Sequence, residues 1–209
     1  DTLYAVNAST GATVWPTPLS GGISSPAVAG GLLYIGAWDN KLQAFNVATG
    51  AEVWAVSTGT TSFSTPSVFG GLVYVGSDDH NVYAFNAGTG QEVWHFTTGD
   101  KVDSSPAVAG GVVYVASQDH DVYALDASTG EPIWTVTTGD WINLASPVVA
   151  NGVVYIGSND DKMYAIDALT GQVLWTYQTG GDINTTPAVA DGVLYIGSFD
   201  YKFYAFGLP

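Results

Sequence analysis

The stretch Val82-Tyr83-Ala84-Phe85-Asn86-Ala87-Gly88-Thr89-Gly90-Gln91-Glu92-Val93-Trp94 recurs along the chain almost unchanged. Five copies have alanine, glycine and tryptophan at matching spacings, and their tryptophans are Trp15, Trp54, Trp94, Trp134 and Trp175. Successive tryptophans lie 39, 40, 40 and 41 residues apart. A fixed period near 40 residues is typical of repeat architectures, so the repeat is interpreted before any local motif.

Each repeat predicts four short strands. Within residues 65–99, a short apolar run is followed by Gly70-Gly71, a dipeptide that favours a two-residue hairpin turn. A β-branched and aromatic run comes next, then a turn containing Asp79, a third strand, and a fourth strand that carries Trp94. Four antiparallel strands connected in sequence form one blade of a β-propeller.

The sequence therefore predicts an all-β fold, a β-propeller of five four-stranded antiparallel blades closed by N- and C-terminal strands in one blade. Residues 1–209 are predicted to form a single domain, with repeats at approximately 20–58, 59–98, 99–138, 139–179 and 180–206, and with residues 1–19 as the closing strand. Residues 3–6 and 203–206 both match the third strand and compete for one place in that blade. Exchange of strands between chains, or a fragment of a six- to eight-bladed parent, are the alternatives.

Composition narrows the classes of partner. The chain has 19 acidic residues, four lysine or arginine residues and a formal net charge of −15. Such a surface repels phosphate groups and anionic lipid headgroups, so neither nucleic acid nor membrane insertion is expected. There is no cysteine, which excludes disulfides and thiolate chemistry. We expect a monomer, with a strand-exchanged oligomer as the alternative.

The repeat also identifies residues with predicted structural roles. Aspartate in the turn before the third strand accepts hydrogen bonds from nearby backbone N–H groups, and glycine before the fourth strand suits a left-handed turn. The predicted structural set is the five repeat tryptophans with Gly50, Gly90, Gly130, Gly171, Asp39, Asp79, Asp119, Asp160 and Asp200.

The spacing Ala-x-Asn/Asp-x-x-Thr-Gly-x-x-x-Trp resembles the tryptophan-docking motif of the PQQ-type (quinoprotein-like) β-propeller repeat family. The resemblance covers nearly the whole chain and implies that the tryptophans pack between adjacent blades. Family enzymes bind their quinone through arginine, adjacent cysteines and Ca²⁺, whereas this chain has no arginine and no cysteine. We therefore interpret it as a non-catalytic member with no cofactor: PQQ is not expected, and no local spacing supports Ca²⁺.

Candidate ligand-binding residues are those that depart from the repeat in loops on one predicted face, because function concentrates in loops on a repeated scaffold. Exposed aromatic side chains there suit sugar rings or a protein partner. The candidates are Trp38, Phe63, His80, Asp103, His120, Trp141, Phe199 and Tyr201.

Enzymatic and metal chemistry is not predicted. His80 and His120 lie in different repeats without the spacing of a known metal site. Asp103 is the one acid among the positions three residues before each strand-opening proline, and a glycosidase needs two carboxyl groups. The predicted function is a non-catalytic binding or scaffolding module for protein–protein interaction, outside the cytoplasm in the periplasm or secreted. The alternatives are a glycan-binding lectin-like propeller, a degenerate quinoprotein enzyme, and a designed or recently amplified propeller with no evolved ligand.

Overall fold

The computed structural model describes residues 1–21, 24–59 and 64–208. Over these residues the regular structure is entirely β, with 21 strands in six antiparallel sheets. The N-terminal hairpin consists of β1 (Thr2–Val6) and β2 (Thr13–Pro18). The first sheet consists of β3 (Ala27–Ala29), β4 (Leu32–Ala37), β5 (Lys41–Asn46) and β6 (Glu52–Ser57).

The next three sheets repeat this order. The second sheet consists of β7 (Ser67–Phe69), β8 (Leu72–Gly76), β9 (Asn81–Asn86) and β10 (Glu92–Thr97). The third consists of β11 (Ala107–Ala109), β12 (Val112–Ala116), β13 (Asp121–Asp126) and β14 (Pro132–Thr137). The fourth consists of β15 (Val148–Ala150), β16 (Val153–Gly157), β17 (Lys162–Asp167) and β18 (Val173–Gln178). The fifth has three strands, β19 (Ala188–Ala190), β20 (Val193–Ser198) and β21 (Lys202–Gly207).

The hairpin joining the first two strands of each sheet has the turn that its dipeptide predicts. Both residues of the dipeptide have positive φ in all five hairpins, for example 59° and 81° at Gly70 and Gly71. A type I′ turn requires this conformation, and it matches the twist of the flanking strands.

A β-bulge precedes the tryptophan in every fourth strand. In the third sheet Ala124 pairs with Trp134 and Leu125 pairs with Pro132, which leaves Ile133 without a partner in the ladder. The same shift occurs in the other pairings of third and fourth strands. The extra residue turns the indole away from the ladder and towards the neighbouring sheet.

Four of the repeat indoles, those of Trp15, Trp54, Trp94 and Trp134, contact the next sheet through one recurring arrangement. The ring of Trp175 contacts that of Phe206 in the fifth sheet. Trp94 Nε1 donates a hydrogen bond to the carbonyl oxygen of Ala127 at 3.1 Å, and the hydroxyl of Tyr74 donates to the same oxygen at 2.9 Å. The ring lies over Gly130, where an added Cβ would come within 2.7 Å of the indole. Glycine is required here both for its positive φ and for this close approach.

The core therefore lies between sheets. Buried side chains of adjacent sheets form shared clusters, as where Val82 and Ala84 of the second sheet pack with Val113 and Val115 of the third. The short first strands contact one another in succession, from β3 through β7, β11 and β15 to β19. This radial order is that of propeller blades around an axis.

The predicted closure of the ring in a shared blade is wrong. In the described part of the chain, β2 pairs only with β1, and β21 pairs only with β20. The N-terminal hairpin is held on the first sheet instead, because Trp15 Nε1 donates to the carbonyl oxygen of Val47 at 2.9 Å and Leu3 packs in that sheet's core. The two competing third strands each have a place of their own, one at either end of the series.

Candidate functional site

The upper face is the side of the molecule where the turns between second and third strands lie, together with the loops that connect successive sheets. The turns comprise residues 38–40, 77–80, 117–120, 158–161 and 199–201. In an antiparallel meander these two kinds of connection share one end of the sheets. Every candidate ligand-binding residue within the described ranges lies here, while Phe63 lies outside the described residues.

The repeated aspartate of each turn connects its own sheet to the incoming loop. Asp119 Oδ2 accepts the hydroxyl of Tyr123 at 2.7 Å and the backbone N–H of Gly99 at 2.6 Å. Asp160 and Asp200 have the same two kinds of donor. The first sheet departs from this pattern, because Gln43 stands in the place of the tyrosine. Asp39 pairs with Lys41 Nζ at 3.0 Å, as Asp160 and Asp200 pair with the lysines two residues after them.

These contacts shift the acidities of both partners. Burial and the hydrogen bond to Asp160 raise the pKa of Tyr164 to about 12. Burial alone would raise the pKa of Asp160, but hydrogen bonds from Tyr164, Lys162 and Gly139 more than offset it and hold that pKa below its usual range. The negative charge is therefore stable at this position.

The position after the turn aspartate has a backbone requirement that the sequence did not reveal. His80 and His120 have φ values of 73° and 77°, and Asn40, Asp161 and Tyr201 also have positive φ. Asparagine, aspartate and histidine tolerate this region better than bulkier residues. The two histidines lie in separate turns, and His80 Nε2 is 3.8 Å from Asp100 Oδ1. Within the described ranges, no group of three or more His, Asp or Glu side chains could hold a metal ion.

Four aromatic side chains project from the upper face. Trp38 is 56% exposed, Trp141 54%, Phe199 63% and Tyr201 99%. Trp38 lies in the turn of the first sheet, Trp141 in the loop into the fourth, and Phe199 and Tyr201 in the turn of the fifth. Among the described residues, Trp141, Phe199 and Tyr201 make no ring contact with one another. They form a dispersed aromatic surface.

Asp103 is the one acid at its repeat position, as predicted, but it lies beside a second acid, Asp78, from the turn of the second sheet. Asp103 is 9% exposed, and its Oδ2 accepts a hydrogen bond from Gln118 Nε2 at 2.6 Å. The carboxyl group of Asp78 lies within hydrogen-bonding reach. Asp78 Oδ2 in turn accepts from Lys101 Nζ at 2.9 Å. We name these four residues, Asp78, Lys101, Asp103 and Gln118, the carboxyl clasp.

The surroundings of Asp103 in the carboxyl clasp favour its protonated form. Burial and the adjacent Asp78 together raise the pKa of Asp103 to about 6, although Gln118 and Lys101 act in the opposite direction. Two carboxyl groups in contact cannot both ionise without a large electrostatic cost. Asp78 was missed at the level of sequence, although it precedes the turn aspartate at a position that differs in every repeat.

The residues present do not fit the quinone site of the enzymes in the resembled family, because the chain has neither arginine nor cysteine. Asp78 and Asp103 on the upper face are already bonded to Lys101 and Gln118.

The opposite face has shallow apolar grooves at the junctions between sheets. One of them, of about 350 Å³, lies between the third and fourth sheets and is lined by Val112, Ile133, Val149 and Leu169 among others. Two equivalent grooves of about 330 and 310 Å³ follow at neighbouring junctions. Their recurrence marks them as a product of the repeat.

Comparison with known proteins assigns the family. A family model described as "Outer membrane protein assembly factor BamB" matches residues 1–82 and 78–206. The chain belongs to this family. No curated protein sequence matches it. None of the described elements is a helix long and apolar enough to cross a membrane.

Solved structures share the fold of this BamB-family chain. The crystal structure of BamB from Moraxella catarrhalis matches 99% of this chain and 67% of its own, with a TM-score of 0.82 and 24% identity. The structure of the computationally designed Ika8 protein covers 88% of this chain and 57% of its own length, with a TM-score of 0.78 and 17% identity. The structure of the quinohemoprotein alcohol dehydrogenase ADHIIG from Pseudomonas putida HK5 covers 91% of this chain and 41% of its own length, with a TM-score of 0.75 and 20% identity. These likenesses show the propeller fold, and the chain spans about two thirds or less of each matched structure.

Proposed function

We propose that this chain is a non-catalytic β-propeller module that binds another protein through its upper face, without a quinone or metal cofactor. The observation that carries the proposal is the exposure of Trp38, Trp141, Phe199 and Tyr201 in loops that otherwise follow the repeat. Aromatic side chains are enriched at protein interfaces because they bury much area at small entropic cost.

Tyr201 gives this proposal its sharpest support. It is 99% exposed and has a φ of 66°, a conformation that is strained for an aromatic residue. Asparagine, histidine or aspartate occupies the equivalent position in the other four turns. A strained, fully exposed ring contributes nothing to the fold, so a role in contact with a partner accounts for it best.

Membership of a family described as an outer membrane protein assembly factor favours a partner in envelope assembly. It also favours a location outside the cytoplasm. The acidic surface, with a net charge of −15, favours a partner that is not itself strongly acidic.

Site-specific photo-crosslinking tests the proposal. A photoreactive residue at position 201 is compared with one at position 169, where Leu169 is 83% exposed on the opposite face. We expect one discrete protein adduct in an extract of the source organism from position 201 and none from position 169, and we expect Trp141→Ser to weaken it. Equal adducts from both faces, or none from either, would contradict the proposal.

A glycan-binding function is the second candidate, because the same exposed rings can stack on sugars. A glycan array separates the two. Specific glycan binding that is lost in Trp141→Ser, with no protein adduct from position 201, would favour the lectin.

A further inference from the structure

The carboxyl clasp spans the junction between the second and third sheets. Asp78 belongs to the turn of the second sheet, Gln118 to the turn of the third, and Lys101 and Asp103 to the loop between them. Two backbone hydrogen bonds follow the same path. Val102 N–H donates to Ser77 O at 3.0 Å, and Gln118 N–H donates to Lys101 O at 2.9 Å. The loop is thus attached to both turns at the place where the two acids meet.

The two acids need one proton to stay in contact. In the described residues, no donor reaches the buried Oδ1 of Asp78 or of Asp103. A proton on one carboxyl group gives the hydrogen bond between them, and its loss leaves two negative charges in contact in a buried place. Lys101 and Gln118 already occupy the Oδ2 atoms, so they do not replace that proton.

We propose that the carboxyl clasp is a proton-operated switch, which holds the loop of residues 98–106 against both neighbouring turns while one proton is shared and releases it when that proton is lost. The loop forms part of the upper face, so release changes the surface offered there. In that respect the inference deepens the proposed function, but the switch itself requires no partner.

The junction between the third and fourth sheets provides an internal reference. There Gln118 and Asn143 occupy the positions of the two acids of the clasp, and neither can ionise. The equivalent of the bond from Gln118 N–H is present, from Asn159 N–H to Trp141 O at 2.9 Å. The amide of Asn159 therefore reports the same geometry without paired acids. The junction between the fourth and fifth sheets is unsuitable, because burial and the adjacent Asp182 raise the pKa of Asp161 there.

Other charged groups near the clasp have to be separated from it. Asp100 and Lys101 lie in the same loop, and Asp119 in the facing turn binds Gly99 N–H. His80 Nε2 is 3.8 Å from Asp100 Oδ1, and a histidine can also exchange a proton near neutral pH. The His80→Asn variant removes that group and keeps a residue that tolerates positive φ.

Amide hydrogen exchange by NMR, from about pH 4 to about pH 8 and corrected for intrinsic exchange, tests the switch. The pKa of about 6 for Asp103 lies roughly two units above that of an ordinary aspartate. Loss of the proton can therefore change the equilibrium between the held and the released loop by a factor of about 100. We expect the protection of Val102 and Gln118 to fall by about tenfold to 100-fold across this range. The protection of Asn159 should stay constant over the same range.

Three variants test whether the carboxyl pair causes the fall in amide protection. Asp103→Asn should make the protection of Val102 and Gln118 independent of pH, because its amide can donate to Asp78 permanently. Asp78→Asn should do the same, while His80→Asn should keep the wild-type dependence. Unchanged protection in the wild-type chain, or an unchanged fall in both Asp→Asn variants, would overturn the proposal. The measurement involves no partner, so its outcome is independent of the crosslinking result.

Discussion

The contact between an indole and a glycine is the smallest unit on which this fold depends. Gly130 supplies a φ of 75° and leaves the space that Trp94 fills. Gly110, in the same sheet, has a φ of 60° but faces open space. The two glycines therefore separate the cost of a strained backbone from the cost of blocking the indole.

Gly130→Ala should destabilise the chain by about 1–3 kcal/mol more than Gly110→Ala, because only the first methyl group collides with a packed ring. Both substitutions introduce a similar cost for alanine at positive φ, of about 1 kcal/mol. Urea unfolding followed by tryptophan fluorescence measures the difference. Equal losses of stability would show that the indole adapts freely to the added methyl group.

The hydrogen bonds from tyrosine to the turn aspartates predict sensitivity to alkali. The pKa of Tyr164 is raised from 10 to about 12 in the folded state, so the stability it contributes is complete below about pH 10 and is lost as the pH rises towards 12. Tyr164→Phe should cost about 1.5–3 kcal/mol at pH 8, because Asp160 loses a donor to its charged oxygen. It should also flatten the loss of stability above pH 10. Thermal unfolding from about pH 8 to about pH 12 measures both effects, and an alkaline loss identical to wild type would contradict this assignment.

At the scale of elements, the loop into the fourth sheet contains one extra residue. Counting back from Pro147 would align Leu144 with Asp103. The buried residue that each loop places in the core is a better guide, and these residues are Val102, Ile142 and Ile183. Asn143 follows Ile142 as Asp103 follows Val102, so Asn143 is the equivalent of Asp103. The insertion is Leu144, which has a φ of 61° and is exposed. Sequence spacing could not place this insertion, because it depends on which apolar residue is buried.

Leu144→Gly should raise the free energy of unfolding by about 0.5–1 kcal/mol, since glycine relieves the cost of leucine at positive φ. Leu169→Gly is the matched control, because Leu169 is an exposed loop leucine that is not among the residues with positive φ. It should lower stability slightly through the greater freedom of the unfolded chain. Chemical denaturation of both variants checks the opposite signs, and a loss of stability in Leu144→Gly would show that its side chain packs usefully.

Strands and turns were largely predictable because one local pattern occurs five times. Paired glycines, Asn-Gly and Asp-Gly dipeptides specify their hairpins through backbone conformation alone. The carboxyl clasp was only half visible, since Asp78 and Asp103 are 25 residues apart and meet through a loop whose course depends on packing. The positive φ at His80 and His120 was also missed, although histidine beside asparagine and aspartate at one repeat position is a signal for it.

For the whole molecule, the sequence identified the type of sheet but not how the series ends. Period and composition say nothing about the angle between neighbouring sheets, and that angle decides whether the terminal sheets meet. One side of the fifth sheet is left uncovered. Tyr195 on that sheet is 45% exposed, whereas the equivalent tyrosines of the four preceding sheets are 3% exposed or less. Phe203, also in the fifth sheet, is 90% exposed.

The 209-residue chain should therefore associate with itself as its concentration rises, through the uncovered side of the fifth sheet. Phe203→Lys should shift light-scattering masses towards the 21.7 kDa of a single chain. Phe69→Lys, at an exposed phenylalanine on the hairpin of the second sheet, should have a smaller effect. A single-chain mass for wild type at all concentrations would contradict this expectation.

The carbonyl acceptor shared by a tryptophan and a tyrosine at the three junctions among the first four sheets has an evolutionary consequence. Since Trp54, Trp94 and Trp134 all reach their neighbours by one bond type, duplicating a forty-residue unit would insert a sheet whose two borders already fit. Recombination between repeats would then change the number of sheets without a new contact at these junctions. Individual turns can still differ from one repeat to another, as Asn40 and Tyr201 do at one repeat position.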